Sequence, residues 1–153
     1  MFGKIKEKSL LDLINEYKKR ITKFSNIEII ELQDEIIPQN ASEKDILNIK
    51  KMEAEKIKSK ISSNDFIIAL DQHGKSFTSE TFSNQIQHIT LKGFSTIAFI
   101  IGGTCGLDKD LIINTHLVLS FSELTFPHQL IRLFLLEQIF RAFKISNNER
   151  YHW

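Results

Sequence analysis

One cysteine, Cys105, is all that the 153-residue chain contains. That excludes a disulfide framework and any multi-cysteine zinc or iron–sulfur site. Excess charge of either sign is missing too. With 20 Lys and Arg against 19 Asp and Glu, neither a polybasic nucleic-acid tail nor an acidic disordered chain fits. No apolar run approaches the length of a membrane span, and the opening Met1-Phe2-Gly3-Lys4 lacks the apolar core of a secretory signal. Internal repeats, low-complexity tracts and a dividing linker are absent as well. What remains is one cytoplasmic domain over 1–153, long enough to bury a sizeable core and offering no broad attraction to DNA or membranes.

Charge is unevenly spread. Residues 1–60 carry 13 basic and 11 acidic side chains, 61–127 carry 3 and 6, and 128–153 carry 4 and 2. A nucleic-acid partner must therefore be held by a local patch. The hydrophobic pattern predicts an amphipathic helix over Glu7 to Lys23, with Leu10, Leu11, Ile14, Tyr17 and Ile21 on its inner face. A short strand is expected over Ile27 to Leu32, then a loop from Gln33 to Ala41. Ser42 and Asp45 form a capping box opening a helix to about Lys60, with an inner stripe of Ile46, Ile49, Met52 or Glu53, and Ile57. Phe66 to Leu70 and Thr96 to Ile101 are wholly apolar, as strands covered on both faces are. Between them Asp71 to Lys75, with Gly74, reads as a break, and Thr78 or Ser79 caps a helix to about Leu91. Asp108 caps a short helix, His116 to Phe121 is a strand, and Pro127 precedes a helix from His128 to about Phe143. Strands alternating with helices predict an α/β fold: a parallel sheet with helices on both faces.

Four features carry chemical interest. Gly102-Gly103-Thr104-Cys105-Gly106 follows a buried strand, where ligands of parallel sheets bind and glycine permits close approach to the backbone; a tight turn is the alternative. It matches neither the dinucleotide nor the P-loop phosphate fingerprint, and no cysteine-enzyme signature surrounds Cys105. The stretch Ser120 to His128 combines small hydroxyls, aromatics and a proline, which suits either an apolar slot for a planar ligand or a helix-capping plug. The His128 to Phe143 helix is apolar nearly all round, and burial of its second side by another copy, in a twofold dimer, solves that problem. In it Arg141 either pairs with Glu137 or contacts RNA or substrate. The tail Tyr151-His152-Trp153 can stack on bases or supply an acid–base group. The histidines lack metal-ligand spacing, and no metal is expected.

In order and spacing these features resemble the ribosomal RNA large subunit methyltransferase H family of knotted SPOUT methyltransferases. The resemblance rests on Ile101-Gly102-Gly103-x-x-Gly106-Leu107, Leu119-Ser120-Phe121-Ser122-x-Leu124-Thr125-Phe126-Pro127-His128-Gln129, Arg132, Glu137-Gln138-x-x-Arg141-Ala142-Phe143-Lys144-Ile145 and Tyr151-His152. It implies a homodimer that transfers a methyl group from S-adenosylmethionine to N3 of a pseudouridine in 23S rRNA of assembled ribosomes, and a C-terminal trefoil knot. It places Leu70, Gly102, Phe121, Ser122, Glu123, Leu124, Thr125 and Phe126 at the cofactor, and Arg141, Tyr151 and His152 in catalysis or RNA contact. The family usually has a short apolar strand before the glycine matching Gly3, so the first strand is expected to be truncated here. A non-catalytic dimeric ligand-binding domain that has lost turnover is the alternative function.

Overall fold

The computed structural model describes residues 7–149. Eight elements follow along the chain: helix α1 (Lys8–Ile21), helix α2 (Glu43–Lys58), strand β1 (Phe66–Ser76), helix α3 (Ser79–Leu91), strand β2 (Ile97–Ile101), helix α4 (Lys109–Ile113), strand β3 (Leu117–Ser120) and helix α5 (His128–Ser146). They fall into two compact units. The first takes Ile30–Ser76 and Ser95–Leu124, the second 7–29, Phe77–Phe94 and 125–149.

The first unit is built on a parallel sheet of order β2-β1-β3. Phe66 to Leu70 pair with Ile97 to Ile101, and Ile68 to Leu70 with Leu117 to Leu119. Parallel register brings Leu70, Ile101 and Leu119 abreast, so the carboxyl ends of β2 and β3 open on one edge, beside the middle of β1. Against the sheet pack Ala54 and Ile57 of α2, and Leu107 and Leu111, in a core with Ala69 and Ile100. The capping box forms as expected: Asp45 N–H donates to Ser42 Oγ at 3.2 Å and Ser42 N–H to Asp45 Oδ2 at 2.9 Å. Asp108, 8% exposed, caps α4 by accepting the N–H groups of Asp110 at 3.0 Å and Leu111 at 3.2 Å on one oxygen. Asp108→Ala strands both donors in a buried corner and should lower stability by about 1 kcal/mol, measured as a shift of the urea midpoint at unchanged slope.

Two expectations are corrected here. Asp71 to Lys75 does not end the strand: β1 runs on to Ser76, with Leu70 and Lys75 both facing Leu119 and the residues between them bulged out of the ladder. Asp71 Oδ1 accepts the His73 N–H at 2.9 Å inside the bulge, and Ser120 Oγ donates to the Gln72 carbonyl at 3.0 Å, tying it to the end of β3. Gly74 allows the crossing, since a Cβ there would lie 2.7 Å from the Val118 carbonyl. Ile27 to Leu32 is not a strand beyond one bridging residue, Leu32. Its apolar residues serve different cores, Ile27 and Ile29 that of the second unit and Leu32 that of the first, so it has no continuous partner.

The second unit is helical. Leu10, Ile14 and Ile21 of α1 meet Leu136 and Phe140 of α5; Phe24 stacks on Phe143 with centroids 5.5 Å apart, and Tyr17 meets Phe140 edge-on at 6.2 Å. Thr78 caps α3 reciprocally with Thr81, and Phe82, Ile86 and Ile89 are buried as the pattern required. Ser83 Oγ donates to the Ala142 carbonyl of α5 at 2.8 Å, satisfying a buried hydroxyl. Helix α5 buries Arg132, Leu135, Leu136 and Phe140, while Leu130 and Phe134 remain 38% and 41% exposed.

Candidate functional site

The carboxyl edge of the sheet gathers the sequence candidates of the first unit. Leu70 sits half-buried at the last regular pair of β1, Gly102 follows the final residue of β2, and Phe121 follows the final residue of β3. Gly102 is buried because the loop doubles back on it: a Cβ there would lie 2.7 Å from the Gly106 carbonyl carbon and 2.8 Å from the Leu107 nitrogen. Gly106, at φ +77°, makes that return, and its N–H donates to the Gly103 carbonyl at 3.0 Å. After β3, Ser120 Oγ lies 3.1 Å from the Ser122 carbonyl, and the Leu124 N–H donates to Ser122 Oγ at 3.0 Å. Glu123 and Leu124 face solvent, Leu124 at 71% exposure.

Thr125, Phe126 and Arg141 belong to the second unit. Thr125 and Phe126 are exposed, and Phe126 meets Phe134 edge-on at 5.7 Å. The i,i+4 pair foreseen on α5 forms, with Arg141 Nε and Nη2 donating to Glu137 Oε1 at 2.9 and 2.5 Å. Gln138 donates to the other Glu137 oxygen at 2.6 Å and accepts from Ser79 Oγ at 3.2 Å. Glu137 is thus fixed on both oxygens, and it orients the guanidinium. Tyr151 and His152 lie outside the described residues.

A family profile described as "Predicted SPOUT methyltransferase" matches residues 1–152. The chain is also similar to three proteins that share the name ribosomal RNA large subunit methyltransferase H. That of Natranaerobius thermophilus is 49% identical over 151 residues, covering 99% of this chain and 95% of the relative. Those of Clostridium perfringens and Clostridium botulinum are 50% and 51% identical over 150 residues, covering 98% of this chain and 94% of each relative. The chain belongs to the SPOUT methyltransferase family, and within it to the large subunit methyltransferase H group.

S-adenosylmethionine is therefore its cofactor, and the first-unit edge fits that molecule. Leu70 and Phe121 offer apolar walls, and the glycine loop and the Ser120–Ser122 turn offer backbone polar groups for a neutral heterocycle. No Lys or Arg occurs at 70, 102–107 or 121–126, and Lys50 Nζ of α2 approaches only the returning end of the glycine loop, 4.0 Å from where a Gly106 Cβ would lie.

Cys105 does not sit in the surroundings of an activated thiol. Burial, and then the charge of Glu53, push the half-buried Cys105 thiol up, against a smaller opposing pull from Lys50; an activated thiol is held down. His116 is structural, accepting the Ile67 N–H on Nδ1 at 2.9 Å and stacking on Phe66 at 4.7 Å. Among the described residues no cluster of His, Cys, Asp or Glu is arranged to hold a metal ion, and no helix is long and apolar enough to cross a membrane.

Sequence reasoning left one group in this region unresolved. Glu53 shared its place in the α2 stripe with Met52; the structure buries Glu53 to 5% exposure and leaves Met52 at 53%. The spacing Ile46, Ile49, Glu53, Ile57 held the answer, but a carboxylate on an inner face runs against the usual sorting of charge.

Proposed function

We propose that the chain methylates N3 of a pseudouridine in 23S rRNA of the large ribosomal subunit, acting in the cytoplasm as a homodimer on assembled ribosomes. The observation that carries this reading is the family match over residues 1–152, in a fold whose register sets Leu70 beside Ile101 and Leu119, with Gly102 and Phe121 following at the same edge. The cofactor residues in this reading are Leu70, Gly102 and Phe121 to Phe126. A single domain over 1–153, helices covering both faces of the sheet and the C-terminal trefoil knot belong to the same proposal.

When bound, S-adenosylmethionine supplies a methyl group already activated on a sulfonium, so the protein's principal task is positioning, worth up to about 7–11 kcal/mol of barrier. The chain must also manage the N3 proton of the uracil-type ring. Arg141, always cationic and oriented by Glu137, answers the negative charge that develops as this proton leaves. His152 takes the proton or orients the base, with Tyr151 beside it in sequence.

The test is calorimetric titration with S-adenosylmethionine, followed by methylation of ribosomes lacking this modification. Saturable binding and one methyl group at the pseudouridine N3 are expected; binding without transfer would favour a binding domain that has lost turnover.

The dimer is supported by Phe126, Leu130 and Phe134, which leave 37%, 38% and 41% of their surface uncovered along α5 and its entry. Phe134→Glu puts a charge in that apolar face. Light scattering should then report the 17.8 kDa single chain in place of twice that mass, with the helical circular dichroism retained. A variant that stays dimeric would move the interface elsewhere.

A further inference from the structure

Helix α2 sets Lys50 and Glu53 against the returning part of the glycine loop. A Cβ on Gly106 would lie 4.0 Å from Lys50 Nζ, and Ala54, next to Glu53 in α2, shares a buried core with Leu107 at the end of the loop; the nearby Glu53 carboxylate also helps to push the Cys105 thiol up. Glu53 is 5% exposed; one oxygen accepts the Glu35 N–H at 3.2 Å, and the other, Oε2, is buried with no hydrogen-bond partner among the described residues. Lys56 does not neutralise it directly, because its ammonium is held by Glu35 Oε1 at 2.5 Å and the Gln33 carbonyl at 3.0 Å. A buried carboxylate left half-satisfied costs stability, and neither packing nor the transfer step accounts for it.

Resting on the methyltransferase reading, we propose that Glu53 is a specificity-determining residue for the cofactor. Its buried carboxylate sets a negative potential behind the Gly102–Leu107 loop, and this favours the sulfonium of S-adenosylmethionine over the uncharged thioether of the product, S-adenosylhomocysteine. A trialkyl sulfonium has no N–H or O–H to donate, so beside the bulk of the methyl group itself charge is what a site can read to separate substrate from product, and a charge out of water is little screened by salt. Discrimination of this kind speeds product release.

The groups facing Glu53 set the sign of the pH dependence. Burial, Asp34 and Glu35 raise its pKa, while the Glu35 N–H and Lys56 lower it, for a net upward shift; Lys50 and Cys105 complete its surroundings. A raised carboxyl is neutral at the acid end and charged above its pKa. Preference for S-adenosylmethionine therefore grows as pH rises through that titration.

The experiment is calorimetry of both ligands across pH on the wild type, Glu53→Gln and Lys50→Gln. Glu53→Gln should reduce the substrate-to-product affinity ratio about three- to tenfold and flatten its pH dependence. Lys50→Gln, at a half-exposed position that tolerates change, should raise the ratio. Cys105, the single thiol, gives a cofactor-free readout through its alkylation rate against pH: its apparent pKa should fall in Glu53→Gln and rise in Lys50→Gln. An unchanged ratio in both variants overturns the proposal even if the thiol shifts, and an unmoved thiol shows that the charge does not reach the loop. Wild type binding neither ligand would instead overturn the methyltransferase reading, and the cofactor role with it.

Discussion

Gly102→Ala should lower S-adenosylmethionine affinity at least tenfold, while the chain stays folded with a stability loss of about 1–3 kcal/mol. The reason is geometric. An added methyl would meet the Gly106 carbonyl carbon at 2.7 Å and the Leu107 nitrogen at 2.8 Å, contacts with backbone that cannot swing aside as a side chain would. The loop must lift away from the strand end, carrying with it the Gly106-to-Gly103 hydrogen bond that closes the turn. Leu70, in the adjacent strand β1, and Phe121, just after β3, would keep their places, so the loss is local to one wall of the proposed site. Calorimetry and thermal unfolding on one preparation separate the two effects, with exposed Thr104→Ala as a control expected to bind normally. Unaltered affinity in Gly102→Ala would mean that the loop does not form the cofactor wall.

What the sequence disclosed about this molecule divides by range. Helices were legible from local signals: the Ser42–Asp45 box, the Asp108 cap and the Phe82, Ile86, Ile89 stripe all depend on residues within a few positions of one another, and all appear in place. The apolar runs at Phe66 to Leu70 and Thr96 to Ile101 named the central strands because burial on both faces removes alternation. The bulge after Leu70 was hidden because it depends on β3, nearly fifty residues away: only pairing with Leu119 and the Ser120 bond to Gln72 turn an apparent break into a continued strand. Ile27 to Leu32 misled for the converse reason, since a β-branched run predicts extension but says nothing of a partner. Of the site, Gly102 was marked by its position after a strand. So was the hydroxyl and aromatic stretch from Ser120 to His128, whereas Leu70 came from family resemblance, because one residue inside an apolar strand carries no local signal of a ligand.

Arg141→Ala should cut methylation of ribosomes by about a hundredfold or more while changing S-adenosylmethionine affinity little. Two features keep the effect from being one of folding. The Arg141 and Glu137 side chains are 24% and 18% exposed, and a pair spaced i,i+4 on a helix adds only about 0.3–0.5 kcal/mol. Neither residue is among the apolar groups that join α1 to α5. Arg141→Lys keeps the charge but cannot set two nitrogens on one carboxylate oxygen, so it should restore only part of the rate. Glu137→Gln keeps Arg141 but leaves one acceptor oxygen for two donors, Gln138 Nε2 and the guanidinium, so it weakens the anchor and should slow turnover less than Arg141→Ala does. Single-turnover rates on ribosomes across this series, with His152→Ala beside it, distinguish a group acting on the developing charge from one that only binds RNA. The first lowers the maximal rate at saturating ribosome, and the second raises only the ribosome concentration needed. Full turnover in both Arg141→Ala and His152→Ala would remove these residues from the mechanism.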